Sequence, residues 1–303
     1  MIIRDKSNSF FILFAWHGTL LPKILAALIF VTLISTLLLY FSSHHYFKFP
    51  IVPAIGFTIF GIILSIFLSF RNTACYDRWW EGRKLWGALI VSTRHLARDS
   101  HVLAENQREI LLYRGMLFTC LLRNRLRQKN QDITFYQTRV QLSNDAWQGL
   151  TQQLNAPQFI LEEMQKSLVL ALKNNEISDI VYQGLSQHII EFGQIQGGCD
   201  RILSTPLPYS YSVLLHRTVY AFCLILPFSL EASLGIWTPV LVALIAYLFL
   251  GLDALSAELE EPFGLQNNDL PLDNITRLIE RETLSSLNAP LLPAIEAINR
   301  NLS

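Results

Sequence analysis

Charge is scarce in this sequence. Only 16% of its 303 residues are Asp, Glu, Lys or Arg, where a soluble domain usually carries about 25%, and 51% are hydrophobic. That shortfall points to a membrane protein. The charges present sum to zero, which leaves no electrostatic case for a nucleic-acid partner or for attachment to a bilayer by surface charge. Cysteine is sparse too: Cys75, Cys120, Cys199 and Cys223 lie far apart and form no C-x-x-C pair. Neither a disulfide frame nor a metal site is indicated, and four reduced thiols are expected. The chain has no internal repeat and no alternating runs that argue for a sheet. It also lacks the broken helix pairs of a secondary transporter. The nucleophile elbow, the zinc-protease helix, the phosphate loop and the dinucleotide fingerprint are all missing. No enzymatic activity, cofactor or metal is expected.

What is present is long apolar runs. Four of them, about Leu20 to Phe41, Ile51 to Phe70, Val213 to Leu230 and Gly235 to Ala254, are long enough to cross a bilayer. Roughly 20 residues at 1.5 Å each match a hydrocarbon core of about 30 Å. The first run is too long for a signal sequence and has no small-residue cleavage site after it, so it reads as a retained helix. The links Ser42 to Pro50 and Glu231 to Leu234 are short, as in two antiparallel hairpins. Strong bases sit at the other ends: Arg4, Lys6 and Lys23, then Arg71, Arg78, Arg83 and Lys84, then His216 and Arg217, with only Lys48 in a short link. By the positive-inside rule both termini and the long central region are cytoplasmic.

The expected fold is therefore an all-α, multi-pass membrane protein with four transmembrane helices and a cytosolic helical bundle. Its parts are residues 1–71 with the first two helices, a cytosolic domain at 72–212, the second pair of helices at 213–256, and a cytosolic tail at 257–303. Within the cytosolic part, helical spacing runs from Ile110 to Leu122. That stretch is too short and too basic for a fifth crossing. Asn155-Ala156-Pro157 starts a helix over Phe159 to Leu172, and another runs from about Ile177 to Gln194 and stops at Gly197-Gly198. Thr205-Pro206-Leu207-Pro208 is an extended turn back to the bilayer. Asp253, Glu258, Glu260 and Glu261 follow the fourth apolar run, and Asp273 or Asn274 caps a last helix over Ile275 to Arg281.

Several titratable sets invite a chemical role. Asp77 and Glu81 are four apart, so on a helix they share a face as paired carboxylates or ligands; with Arg78, Arg83 and Lys84 beside them, a salt-bridged helix is the plainer reading. His95, Asp99 and His101 can be drawn as a metal cluster, though only the first pair keeps helical spacing, and a solvated face is the plainer reading. The adjacent His44 and His45 point apart. Conduction asks instead for a helix that lines a hole, and the second apolar run offers two stripes. Thr58, Gly61, Ser65 and Ser69 make a small, weakly polar face, while Ile62, Ile66 and Phe70 make an apolar one that rises about 6 Å and drifts about 40° per step. Composition alone favours the serine stripe as pore lining, against close packing on another helix.

The stretch Asn72-Thr73-Ala74-Cys75-Tyr76-Asp77-Arg78-Trp79-Trp80-Glu81-Gly82-Arg83-Lys84-Leu85-Trp86-Gly87, directly after a hydrophobic helix, resembles the signature of the bestrophin family in its bacterial branch. Thr205-Pro206-Leu207-Pro208-Tyr209-Ser210-Tyr211 and Glu260-Glu261-Pro262-Phe263-Gly264 resemble its re-entry segment and its proline-phenylalanine-glycine turn. The resemblance implies a homopentamer of helical subunits around one central ion pathway in the bacterial inner membrane. It further implies a hydrophobic neck at Ile62, Ile66 and Phe70, with the serine stripe packing between neighbours. A cytosolic aperture follows at Ile180, beside Asp179, where ordinary bundle core is the competing reading. In animal members that turn precedes an acidic run that binds calcium. Here Leu265-Gln266-Asn267-Asn268-Asp269-Leu270 holds one carboxylate, too few for a site that needs several oxygen ligands.

The expected activity is passage of monovalent ions. A ring of Asp179 carboxylates favours cations, sodium or potassium, with chloride as the runner-up. A membrane-anchored scaffold or sensor is the reading from a different class.

Overall fold

The computed structural model describes residue 16 and residues 18–44, 54–129 and 133–296. The expectations placed on Arg4, Lys6, His45 and Lys48, and most of the first short link, lie outside the described residues. Among those described there is helix, turn and coil but no strand. In order the helices are α1 (Leu21–Ser43), α2 (Ala54–Asp99), α3 (Glu105–Arg127), α4 (Thr134–Gln137), α5 (Asn144–Gln152), α6 (Ala156–Lys173), α7 (Asp179–Ser204), α8 (Tyr209–Leu234), α9 (Thr238–Glu260) and α10 (Leu272–Ser286). Among the described residues, three stretches are long and apolar enough to cross a membrane: Leu21–Ser43, Ile55–Val102 and Tyr209–Glu260. The third holds both α8 and α9, joined by a tight 3-10 turn at Gly235–Trp237. The turn thus falls after Leu234, four residues later than hydropathy places it, because apolar Leu234 and the residues before it continue the helix.

The chain divides into two compact units. One gathers the described residues before Trp80 with Pro206–Pro262; the other holds Trp80–Thr205 and the residues from Phe263 onward. In the first unit, Ile24 and Val31 of α1, Leu64 and Leu68 of α2, Val219 and Phe222 of α8 and Val242 and Ala246 of α9 share one buried core. Helix α9 continues past its apolar run, which ends at Ala254, to Glu260. Asp253, Glu258 and Glu260 therefore lie inside α9 rather than after it.

The second unit is built on aromatic and aliphatic packing. Phe118 of α3 and Phe192 of α7 stack nearly parallel, 5.3 Å between ring centroids, and Trp86, Leu89 and Leu96 of α2 are fully buried or nearly so. Asn155 caps α6 as expected, its side chain accepting from the Gln158 N–H at 3.2 Å. Asp273 does not cap α10, whose N-cap is Pro271. Its carboxylate instead meets Arg127 and, at 3.4 Å, Arg123 from α3, since two buried guanidinium groups need a counter-charge more than a helix end needs a cap. Gly197-Gly198 does not stop α7, which continues to Ser204. A Cβ on Gly198 would fall 2.8 Å from Leu85 Cδ2, so that glycine is there to let α7 approach α2 closely, not to end a helix.

Replacing Gly198 with valine should force Leu85 out of its seat and destabilise the fold by about 1–3 kcal/mol, the usual cost of overpacking. Denaturant or thermal unfolding in detergent measures it, and a stability equal to wild type overturns the close-approach reading.

Candidate functional site

Helix α2 is one uninterrupted helix of 46 residues, about 70 Å long at 1.5 Å per residue. The apolar run and the charged stretch after it are not separate elements. Between residues 55 and 71 its buried or half-buried positions are Phe57, Gly61, Leu64, Leu68 and Arg71, spaced by four and three so that they form one line. At about 100° per residue, Ile62, Ile66 and Phe70 point directly away from that line. They are 55%, 47% and 63% exposed. The stripe proposed from composition does not hold together as one free face, because Gly61 lies against the ring of Phe222 from α8. Ser65 is exposed and returns its hydroxyl to the Ile62 carbonyl at 2.8 Å.

In the second unit, α7 begins at Asp179, with Ser178 as N-cap. Ile180 is 82% exposed and Asp179 is exposed beside it, so Ile180 is no part of this subunit's core. A helix start fixes Asp179 in the first turn, where the positive end of the helix favours a carboxylate.

The polar ends of the four packed helices are joined by an ionic clasp that the sequence reading treated only as orientation signals. Arg71 Nη1 lies 2.5 Å from Asp253 Oδ1, and both side chains are nearly buried. The other Asp253 oxygen meets His216 Nδ1 at 2.6 Å. Glu260 accepts from the Leu207 N–H at 3.1 Å, and its own carbonyl accepts from Arg78 Nε at 3.2 Å. Lys23 pairs with Glu258 at 2.7 Å, and the Tyr211 hydroxyl donates to the Phe67 carbonyl at 3.0 Å. Basic residues at the ends of three apolar runs and acidic ones at the end of the fourth were the available signal; their pairing needed the fold.

The candidate ligand sets come apart. Glu81 is held by Arg201 of α7, and Arg83 lies over the Trp80 ring, 5.3 Å from its centroid. Asp99 accepts from Arg98 at 3.1 Å and lies 2.9 Å from His188 Nε2, while His101 sits in a separate 3-10 turn beside Arg108. Among the described residues no group of three His, Cys, Asp or Glu is arranged to hold a metal ion. His188, unremarked in the sequence, is the partner Asp99 takes instead. His44 turns its Nδ1 to the Tyr40 carbonyl of its own helix at 2.9 Å. The four cysteines are free and buried; burial pushes the Cys120 thiol up to about 11 and the Cys199 thiol up to about 12, so neither is a thiolate nucleophile at neutral pH. Asp269 closes its own turn, accepting from the Gln266 N–H at 2.7 Å.

The signature stretches meet in space: the Phe263 ring of the proline-phenylalanine-glycine turn rests on Gly82 of α2, where a Cβ would come within 3.1 Å. The family model described as Bacterial/Fungal Bestrophin protein matches residues 1–285. The chain belongs to the bestrophin family. A voltage-dependent anion channel-forming protein, YneE, of Salmonella typhi is 36% identical over 299 residues, covering 97% of this chain and 96% of that one. Its namesake in Escherichia coli is 35% identical over 301 residues, with the same coverage. A crystal structure of a bacterial bestrophin homolog from Klebsiella pneumoniae superposes with a TM-score of 0.81 at 29% identity, covering 88% of this chain and 99% of that one. This bestrophin is thus a helical membrane protein of an ion-channel family.

Removing the clasp's central carboxylate tests its weight. Asp253→Ala leaves Arg71 buried with only Glu260, 4.0 Å away, and should cost about 3 kcal/mol or more. His216→Ala, at a more exposed partner, should cost under about 1 kcal/mol. Equal losses in thermal unfolding overturn this ranking.

Proposed function

We propose that this bestrophin forms a homopentameric ion channel in the bacterial inner membrane, with α1, the front of α2, α8 and α9 as four crossings and both termini cytoplasmic. The observation that carries the reading is the stripe Ile62, Ile66 and Phe70, exposed and turned directly away from the chain's own packing. Copies of α2 around an axis would bring these side chains into stacked apolar rings. Such a neck holds back water unless it widens, which is gating by dewetting. The exposed Ser65 and Ser69 on its flank suit packing against a neighbouring subunit. Ile180 and Asp179 would form a second, cytosolic constriction.

We take the permeant ion to be an anion, chloride in the first place, because the relatives 35–36% identical over nearly the whole chain are named for anion channels. An apolar neck sets no sign of charge. Asp179 carries a full negative charge, but the helix start beneath it contributes roughly half a positive charge, which weakens the field of a carboxylate ring. The cation reading keeps one observation in its favour, the exposure of Asp179 next to Ile180. Both differ from a scaffold or sensor, for which a monomer in detergent would be the expected state.

Reversal potentials of the reconstituted protein under a salt gradient separate the readings. A shift toward the chloride equilibrium potential is expected, and Asp179→Asn should strengthen it. A shift toward the cation potential that Asp179→Asn abolishes would overturn the anion reading in favour of the carboxylate ring. Shortening the neck side chain in Ile66→Ala should raise conductance severalfold, while Ser65→Ala should change assembly more than current. Unchanged current in Ile66→Ala with altered current in Ser65→Ala would move the pore to the serine stripe.

A further inference from the structure

Beside the ionic clasp lies a cavity of about 390 Å³ between α1, α2, α8 and α9. Its polar lining includes Lys23, Arg71, Ser212 and Arg217, with Asp253 as the lining carboxylate. Asp253 neutralises Arg71 and Glu258 neutralises Lys23. Arg217 is exposed and has no ion-pair partner among the described residues. Two further donors at the cavity are unused: Arg71 Nε and the Ser212 hydroxyl are buried without any hydrogen-bond partner. A buried donor left unpaired costs about 1–3 kcal/mol, so the lining is short of an acceptor. The rest of the wall is apolar, with Ile24, Val213 and Leu250 among its residues. Lys23 stands in the first turn of α1 and Arg217 near the start of α8, so the cavity sits where apolar helix gives way to charge.

We infer that this cavity binds the phosphodiester headgroup of an anionic phospholipid, with acyl chains along its apolar wall. A phosphodiester supplies the acceptor oxygens that Arg217, Arg71 Nε and Ser212 lack, and a guanidinium holds a phosphate with two parallel hydrogen bonds. Soluble phosphate satisfies the donors but leaves Ile24, Val213 and Leu250 uncovered. A lipid satisfies both, and basic residues at this depth are drawn to anionic headgroups. The site is independent of the ion conducted and lies on the side of α2 turned away from the proposed neck stripe.

Native mass spectrometry of the full-length protein in mild detergent tests it, with phosphatidylglycerol and phosphatidylcholine of matched chains. Phosphatidylglycerol should bind about fivefold more tightly or better, the effect of a single basic residue near a charged headgroup. Arg217→Gln should abolish the preference and Arg217→Lys should keep most of it, with melting temperatures in phosphatidylcholine unchanged. If Arg217→Gln lowers the melting temperature by itself, Arg217→Met, which keeps an apolar stem and removes the charge, carries the same test. Equal binding of the two lipids, or a preference that survives Arg217→Gln or its substitute, overturns the inference. Displacement of phosphatidylglycerol by millimolar inorganic phosphate also overturns it, since the site would then serve a soluble anion.

Discussion

Much of this structure depends on the apolar front of α2, residues 55–71, burying only one line of its surface. A helix of this length exposes its whole circumference unless partners cover it, and here Phe57, Gly61, Leu64, Leu68, Arg71 and Cys75 are covered by the chain itself. The opposite face is apolar as well, which a soluble helix does not tolerate. Such a face must be met by lipid or by other copies of the chain. The spacing that seats Leu64 and Leu68 therefore also aims Ile62, Ile66 and Phe70 outward, because three and four residues make nearly one turn and the intervening positions have nowhere else to point. Packing and free surface are two consequences of one pattern.

The four packed helices need something other than apolar contact to fix their register, since in a bilayer lipid competes for the same surfaces. The Arg71–Asp253–His216 group supplies it. Two nearly buried charges at 2.5 Å are costly to separate, and each slip of α2 against α9 would separate them. Close approach plays the same part elsewhere. Gly82 admits the Phe263 ring and Gly198 of α7 admits α2's own Leu85, so at both places α2 is seated by a side chain that fits only because a Cβ is missing. Buried charge fixes register where the solvent is lipid, and missing side chains fix it where the packing is protein.

Long apolar runs and the all-helical class were legible in the sequence, because hydropathy and a period of 3.6 are local properties; periodicity offered two stripes on α2, and only the family resemblance favoured Ile62, Ile66 and Phe70 over the serines. Three kinds of feature were not legible. Helix ends were misplaced at Gly197-Gly198 and around Leu234, since a glycine that breaks a helix and one that admits a neighbour look the same in sequence. Charged partners were also misassigned. Asp273 reads as a cap but answers two arginines of α3, and Asp99 reads as part of a solvated face but answers His188, nearly ninety positions on. Such pairs are set by folding over long separations, which no local pattern reports. The continuity of α2 was hidden for a third reason: hydropathy falls sharply at Arg71 although the backbone hydrogen bonding does not change there.

That continuity bears on how gating and selectivity divide. The proposed neck is built of Ile62, Ile66 and Phe70, which carry no charge and so can resist or admit water without favouring either sign. Charge selection then has to come from elsewhere on the chain, and Asp179 with Ile180 at the start of α7 is the exposed group suited to it. The two jobs fall on different helices and different compact units. On the proposed reading, a change in neck width would alter how much passes, and a change at Asp179 would alter how strongly one sign is preferred. Relatives with the same apolar neck can therefore differ in ion preference without differing in fold. For that reason the proposed anion preference rests on the relatives named for anion channels and on the weakened field at Asp179, and not on the neck, which favours neither sign.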